Sequence, residues 1–237
     1  MKSAILMALL GVSFFLAPSL SQAETLEEKL DARKQSFSAK ADPQKRKDYD
    51  EGIRLVEQSG VLEAALNIGD KAPNFTLPNA AGEKVELESL LASGPVVMIW
   101  YRGEWCPYCN IQLEDIQSHI EEFKEAGAQV VAISPEKPDN GWSLQDRLNL
   151  EFHVLSDEGS VVAEEYGVVY TLPPKIAKYY EDAFDIHEKN GDDSNKMPIA
   201  AAYVIDQHGT VTYAYLDADY RKRAETSLLV EEVKALK

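Results

Sequence analysis

Val96-Val97-Met98-Ile99-Trp100-Tyr101-Arg102-Gly103-Glu104-Trp105-Cys106-Pro107-Tyr108-Cys109 is the stretch whose reading decides the fold. Its first six residues are apolar and begin with β-branched side chains, the pattern of a buried strand. Beyond it, Ile111, Leu113, Ile116, Ile120 and Phe123 recur mostly three or four apart, the pattern of a helix with one apolar face. Cys106 therefore stands where a strand passes into a helix, and Pro107 suits the first helical position.

That placement has chemical consequences. The first N–H groups of a helix lack partners within it and favour an anion beside them, by at most ~2 kcal/mol, where ~1.4 kcal/mol is one pKa unit. Arg102 pushes Cys106 toward the thiolate as well, whereas Glu104 and apolar burial oppose it. The thiolate is the reactive form, and a second thiol three residues on can close a disulfide after the first has reacted. Two duller readings compete. A structural zinc site wants four ligands. The cysteine pair is the only one in the chain, and His119, His153, His187 and His208 have no close-paired spacing. A static clip is the other, but a two-residue spacer constrains little unfolded chain. No metal or other cofactor is expected.

Residues 1–23 read as a secretory signal: Lys2, an apolar run from Ala4 to Ala17, then Ser21-Gln22-Ala23 before the cut. The expected compartment is the periplasm or the outside of the cell, where an unattended dithiol becomes oxidised. The full chain carries a net charge of −16, and removing Lys2 with the leader makes the mature value −17. Such acidity argues against nucleic acid and anionic membranes as partners.

Residues 24–66 read as a helical extension, with Asp42-Pro43 starting its second helix and Ser59-Gly60 ending it. It suits a solvated cap, or a contact with a second chain in a homodimer. From residue 67 to 237, strands alternate with helices, which defines an α/β domain. Pro138-Asp139-Asn140-Gly141 reads as a loop before a helix over Trp142–Leu150, and Asp157–Tyr166 as one helix. Residues 169–198 break the rhythm as an inserted helix with a flexible polar exit, either a lid over the cysteines or surface decoration. A hairpin over Ala200–Leu216 and a last helix with Leu228, Leu229, Val233 and Leu236 facing in complete the chain.

Several segments resemble the peroxiredoxin (alkyl hydroperoxide reductase/thiol-specific antioxidant, AhpC/TSA) family. They are Gly69-Asp70-Lys71-Ala72-Pro73-Asn74-Phe75-Thr76-Leu77, Leu155-Ser156-Asp157-Glu158-Gly159 with Tyr166-Gly167-Val168, and Tyr203-Val204-Ile205-Asp206 with Gly209. The signature Tyr101-Arg102-Gly103-x-Trp105-Cys106-Pro107-Tyr108-Cys109 and the ending Asp217-x-Asp219-Tyr220-x-x-Arg223 resemble those of peroxiredoxin-like proteins. The resemblance implies a thioredoxin fold, a central mixed sheet flanked by helices. It also implies a hydroperoxide substrate, Cys106 as the attacking thiolate, Cys109 as the resolving thiol, and a thioredoxin-type electron donor. The chain departs from the family where a Thr and a Pro would precede the attacking cysteine, at Gly103 and Ile99, and where the family's supporting arginine would fall, near Ala200. Arg102 and Arg223 are the candidates to replace those hydrogen bonds, with Trp105, Pro107 and Tyr108 as supporting residues. The alternative is an exported thiol–disulfide oxidoreductase that acts on protein disulfides through the same pair. Any enzyme reading requires a Cys106 sulfur open to solvent and a Cys109 sulfur within bonding reach.

Overall fold

A computed structural model describes residues 24–237; the leader read over 1–23 lies outside the described residues. In chain order the elements are α1 (Leu26–Lys40), α2 (Pro43–Glu57), α3 (Val61–Ala64), β1 (Thr76–Pro78), β2 (Lys84–Glu86), α4 (Leu87–Leu91), β3 (Val96–Trp100), α5 (Pro107–Ser118) and α6 (Ile120–Ala126). They continue with β4 (Gln129–Ser134), α7 (Pro138–Leu148), β5 (His153–Ser156), α8 (Val161–Glu165), β6 (Val169–Thr171), α9 (Pro174–Phe184) and α10 (Ile186–Asn190). The chain ends with β7 (Lys196–Pro198), β8 (Ala200–Ile205), β9 (Val211–Asp217) and α11 (Thr226–Lys234).

The five strands β5-β4-β3-β8-β9 form one mixed sheet in that order. β4 runs parallel to β3 and to β5, while β8 runs antiparallel to β3 and β9. β3 is buried along its whole length, as a central strand covered on both faces must be. Its side chains alternate: Val96, Met98 and Trp100 join one core, and Val97 and Ile99 join the other. Residues of α1, α5, α6, α7 and α11 belong to the second core, and those of α2, α4, α8 and α9 to the first. This is the mixed, helix-flanked sheet expected of a thioredoxin fold.

The extension is anchored rather than merely solvated. Thr25 and Glu28 form a capping box at the start of α1, and Asp42 accepts from the Gln44 and Lys45 N–H groups at the start of α2. Leu26 and Leu30 are buried in the core beside α5, and Lys29 pairs with Asp115 of α5. Gly52 lets α2 approach α9, because a Cβ there would stand 2.7 Å from Ile176 Cγ1.

Five local expectations are corrected. The helix after Cys109 breaks at His119, where the Ser118 hydroxyl and the His119 ring both bond the Asp115 carbonyl and divert it from the helical ladder. Pro138-Asp139-Asn140-Gly141 is the first turn of α7, since Pro138 occupies N1, where no N–H is needed. The expected helix over Asp157–Tyr166 is interrupted by positive φ at Gly159 and Ser160, and only Val161–Glu165 is α-helical. The exit of the insertion is held, not loose: β7 pairs with β6, and Leu172 N–H donates to the Asn195 carbonyl. In α11 Leu229, Val230 and Val233 face inward, but Leu228 lies off that stripe and Leu236 lies past the end of the helix at Lys234, so both are exposed.

Candidate active site

Residues 102–105 carry the chain from β3 into α5. Gly103 sits at φ +144°, and a Cβ there would meet Trp105 Nε1 at 2.4 Å and Glu136 Oε1 at 2.7 Å, so the turn requires glycine. Cys106 is the N-cap of α5 and Pro107 its first residue. Three donors converge on the Cys106 sulfur: the Cys109 thiol at 2.7 Å, Arg102 Nη2 at 3.1 Å and the Cys109 N–H at 3.4 Å. Arg223 Nη2 donates to Cys109 Sγ at 3.3 Å, so each sulfur has its own guanidinium.

Burial alone would push the Cys106 thiol up. The Cys109 hydrogen bond and the charges of Arg102 and Arg223 outweigh it and hold Cys106 well below the ordinary thiol value. Cys109 moves the other way, raised by its burial, by donating to Cys106 and by the charge there. The two shifts run in opposite directions, so Cys106 is the sulfur that ionises more readily and Cys109 the one that holds its proton. Glu104, expected to oppose the thiolate, has its charge offset by Lys189 of α10 at 2.6 Å. Arg102 is only 3 % exposed. Its charge is met by the Cys106 sulfur, the Tyr180 hydroxyl at 2.7 Å and the Tyr220 ring, 3.6 Å from the guanidinium carbon to the centroid.

The pair is within bonding reach, as the enzyme reading requires. The other requirement, an open Cys106 sulfur, is corrected: both cysteines are 0 % exposed. The cover is aromatic and comes from outside the strand–helix unit. Trp105 packs on Tyr180 (4.9 Å between centroids) and stacks on Phe184 (5.0 Å), both from α9, while Tyr220 packs edge-on against Tyr108 (5.7 Å). Tyr180 and Phe184 of the insertion thus pack over the turn before Cys106, the placement that a lid over the cysteines requires. Phe184→Ala removes one half-buried ring of the lid without touching Arg102. The expected outcome is alkylation of Cys106 by iodoacetamide several-fold faster, with the pH midpoint of the reaction unchanged.

Cys106, Cys109, Arg102, Trp105, Pro107, Tyr108 and Arg223 are all brought together here. Tyr108 supports from the side, with its ring under the Arg33 guanidinium at 5.9 Å. Ala200, where the family's arginine would fall, is the first residue of β8 and supplies no charge. Sequence reasoning quotes Tyr220 only as part of the terminal motif, takes Tyr180 and Phe184 only as part of the inserted helical run, and misses Glu136, for which the sequence holds no signal.

A buried Cys-x-x-Cys pair at the start of a helix, with one thiol depressed and the other raised, on a thioredoxin fold, defines the class of thiol-redox proteins. Residues 68–214 match the family model described as AhpC/TSA family, and the chain belongs to that family. It is similar to a chloroplastic peroxiredoxin Q of Triticum aestivum, with 30% identity over 68% of this chain and 64% of the relative. It is also similar to peroxiredoxin Bcp of Escherichia coli, with 35% identity over 44% of this chain and 65% of that protein. The chain spans less than two thirds of the length of these curated relatives. In fold it resembles the crystal structure of peroxidoxin BcpB from Mycobacterium tuberculosis, with a TM-score of 0.58 and 22% identity over 73% of this chain and 99% of that one.

Proposed function

We propose that this chain is a thiol peroxidase in which Cys106 attacks a hydroperoxide and Cys109 resolves the product. One observation carries the reading: the Cys106 sulfur receives three donors, one of them a buried guanidinium, in a member of the AhpC/TSA family. The thiolate lone pair attacks one peroxide oxygen, the O–O bond breaks, and the alkoxide leaves and takes up a proton. Cys106 is now a sulfenic acid. Its negative charge and its hydrogen bond from Cys109 are gone, so two of the causes that raise Cys109 vanish. Arg223, still 3.3 Å away, then favours the Cys109 thiolate. That thiolate attacks the Cys106 sulfur, the S–O bond breaks, water leaves, and a disulfide forms. A thioredoxin-type dithiol returns both electrons. The arginines thus ionise the two sulfurs in turn.

The test is hydroperoxide consumption by the purified protein with a dithiol reductant. Turnover far above that of the free dithiol is expected, and turnover no faster than it ends this reading. In Cys109→Ser the sulfenic acid should persist and be captured by dimedone in nearly every molecule after one equivalent of peroxide. Accumulation of mixed disulfides with exported proteins in that variant, with no sulfenic acid, would favour the protein-disulfide alternative.

The apolar run Ala4–Ala17 before Ser21-Gln22-Ala23 supports export of the mature chain from Glu24. N-terminal sequencing of the protein from its producing cells checks this, and a mature chain that still starts at Met1 refutes it.

A further inference from the structure

Arg102 and Arg223 are both buried, and a buried guanidinium is normally paired with an acid. Among the described residues neither stands within salt-bridge distance of a carboxylate, whereas Arg221, two positions before Arg223, holds Asp219 and Asp50, each at 2.8 Å. A carboxylate would fix either arginine, but it would also take up the charge that a thiolate needs. Both are aimed by neutral groups instead, and one residue supplies a group to each.

The ring of Tyr220 lies over the Arg102 guanidinium at 3.6 Å, closer than Trp105 at 5.0 Å or Tyr180 at 5.2 Å. A stacked face fixes the plane of a guanidinium and leaves its N–H groups free to donate within that plane. Nη1 then reaches the Tyr180 hydroxyl and Nη2 the Cys106 sulfur, while Nε has no acceptor. The other groups that face Arg102 are Cys109 and the Tyr170 and Tyr180 phenols, all pushed up by burial and so protonated at neutral pH.

The main chain of Tyr220 serves the second arginine. Arg223 Nη1 donates to the Tyr220 carbonyl and, at 2.6 Å, to that of Lys222, while Nη2 reaches Cys109 Sγ. The loop that carries Tyr220 is itself clasped. Arg221 grips the Asp219 carboxylate through Nε at 2.8 Å and Nη2 at 2.9 Å, the Arg221 N–H donates to the same carboxylate, and Nη1 ties the loop to Asp50 of α2.

Resting on the peroxidase reading, the geometry points to Tyr220 as a positioning residue for both sulfurs: its ring aims Arg102 at Cys106, and its carbonyl aims Arg223 at Cys109. The ending Asp219-Tyr220-x-x-Arg223 is then part of the reaction machinery, although Tyr220 itself donates to neither sulfur.

The experiment reads the Cys106 thiolate by its ultraviolet absorbance against pH, with no peroxide present. In Tyr220→Leu the midpoint should rise by about one pH unit, the size of a desolvated cation–π contact. Tyr220→Phe keeps the ring and should restore the wild-type midpoint. Tyr220→Met fills the space without a π face, should move the midpoint as leucine does, and stands in if the leucine variant does not fold. None of these alters the main chain, so the sulfenic acid, followed by dimedone capture, should keep its wild-type lifetime. Arg221→Gln opens the clasp and should both raise the midpoint and lengthen that lifetime several-fold. A midpoint unmoved in Tyr220→Leu and Tyr220→Met, or raised as much in Tyr220→Phe, overturns the role of the ring. An unchanged lifetime in Arg221→Gln overturns the role of the carbonyl. Both of these results leave the peroxidase reading intact. A midpoint that shifts as expected in a protein that turns over no hydroperoxide supports the positioning of Arg102 and ends the peroxidase reading.

Discussion

Arg102→Met should slow the oxidation of Cys106 by hydroperoxide about ten- to a hundredfold near pH 6 to 7, and move the acid limb of the rate profile to higher pH. The size follows from what is removed. A hydrogen bond to a charged group contributes about 1.5–3 kcal/mol, and 1.4 kcal/mol is tenfold in rate. Arg102 Nη2 lies 3.1 Å from the sulfur, and its charge is among the causes that hold the Cys106 thiol down. Without it, burial has less to oppose it and the thiol reclaims its proton. Methionine suits the test because it fills the space among the Trp105, Tyr180 and Tyr220 rings without a charge. Arg223→Met should move the Cys106 profile in the same direction but less, since that guanidinium donates to Cys109. Its larger effect should be on resolution, seen as a longer-lived sulfenic acid. Thiolate absorbance against pH and stopped-flow oxidation separate the two. An unchanged profile in Arg102→Met refutes the assignment.

Much of this site is legible in the sequence. Val96–Tyr101 reads as a strand because every side chain is apolar, and a strand covered on both faces needs that. Cys106 reads as a helix start because Pro107 follows it. What stays hidden depends on the third dimension. Residues 24–66 read as a polar helical extension and 169–198 as an inserted helix, but nothing in their periodicity says that α1, α2 and α9 meet beside Arg102 and Trp105. For the same reason the sequence predicts an open thiolate where the fold builds a closed one: Tyr180 and Tyr220 lie 74 and 114 positions beyond Cys106. Glu136 is the extreme case. A glutamate after a proline at the end of a strand reads as solvated, and only the turn at Gly103 and Glu104 folding over it encloses it.

That enclosure gives the second large effect, on stability against pH. Glu136 is 1 % exposed, its Oε2 accepts from the Glu104 N–H at 2.7 Å, and its Oε1 has no partner. Burial pushes its carboxyl up from 4.5 to about 8, against the pull of the Glu104 N–H and with the Glu104 charge adding to the rise. The folded protein therefore holds this proton more tightly than the unfolded chain does. A raised pKa contributes stability that is fully present below the unfolded value near 4.5 and is lost as pH rises through about 8. Cys106 works in the opposite sense: held down, it adds stability as pH rises toward the ordinary thiol range. The wild-type curve mixes both, so the quantity to read is its difference from Glu136→Gln, in which the Cys106 contribution cancels. Glutamine keeps an oxygen to accept from Glu104 and cannot ionise. Urea unfolding should place the two proteins close together at pH 5. By pH 8.5 the variant should be the more stable by a few kcal/mol, since one pKa unit is about 1.4 kcal/mol. Parallel curves across that range would mean that the carboxyl is ionised and solvated at neutral pH.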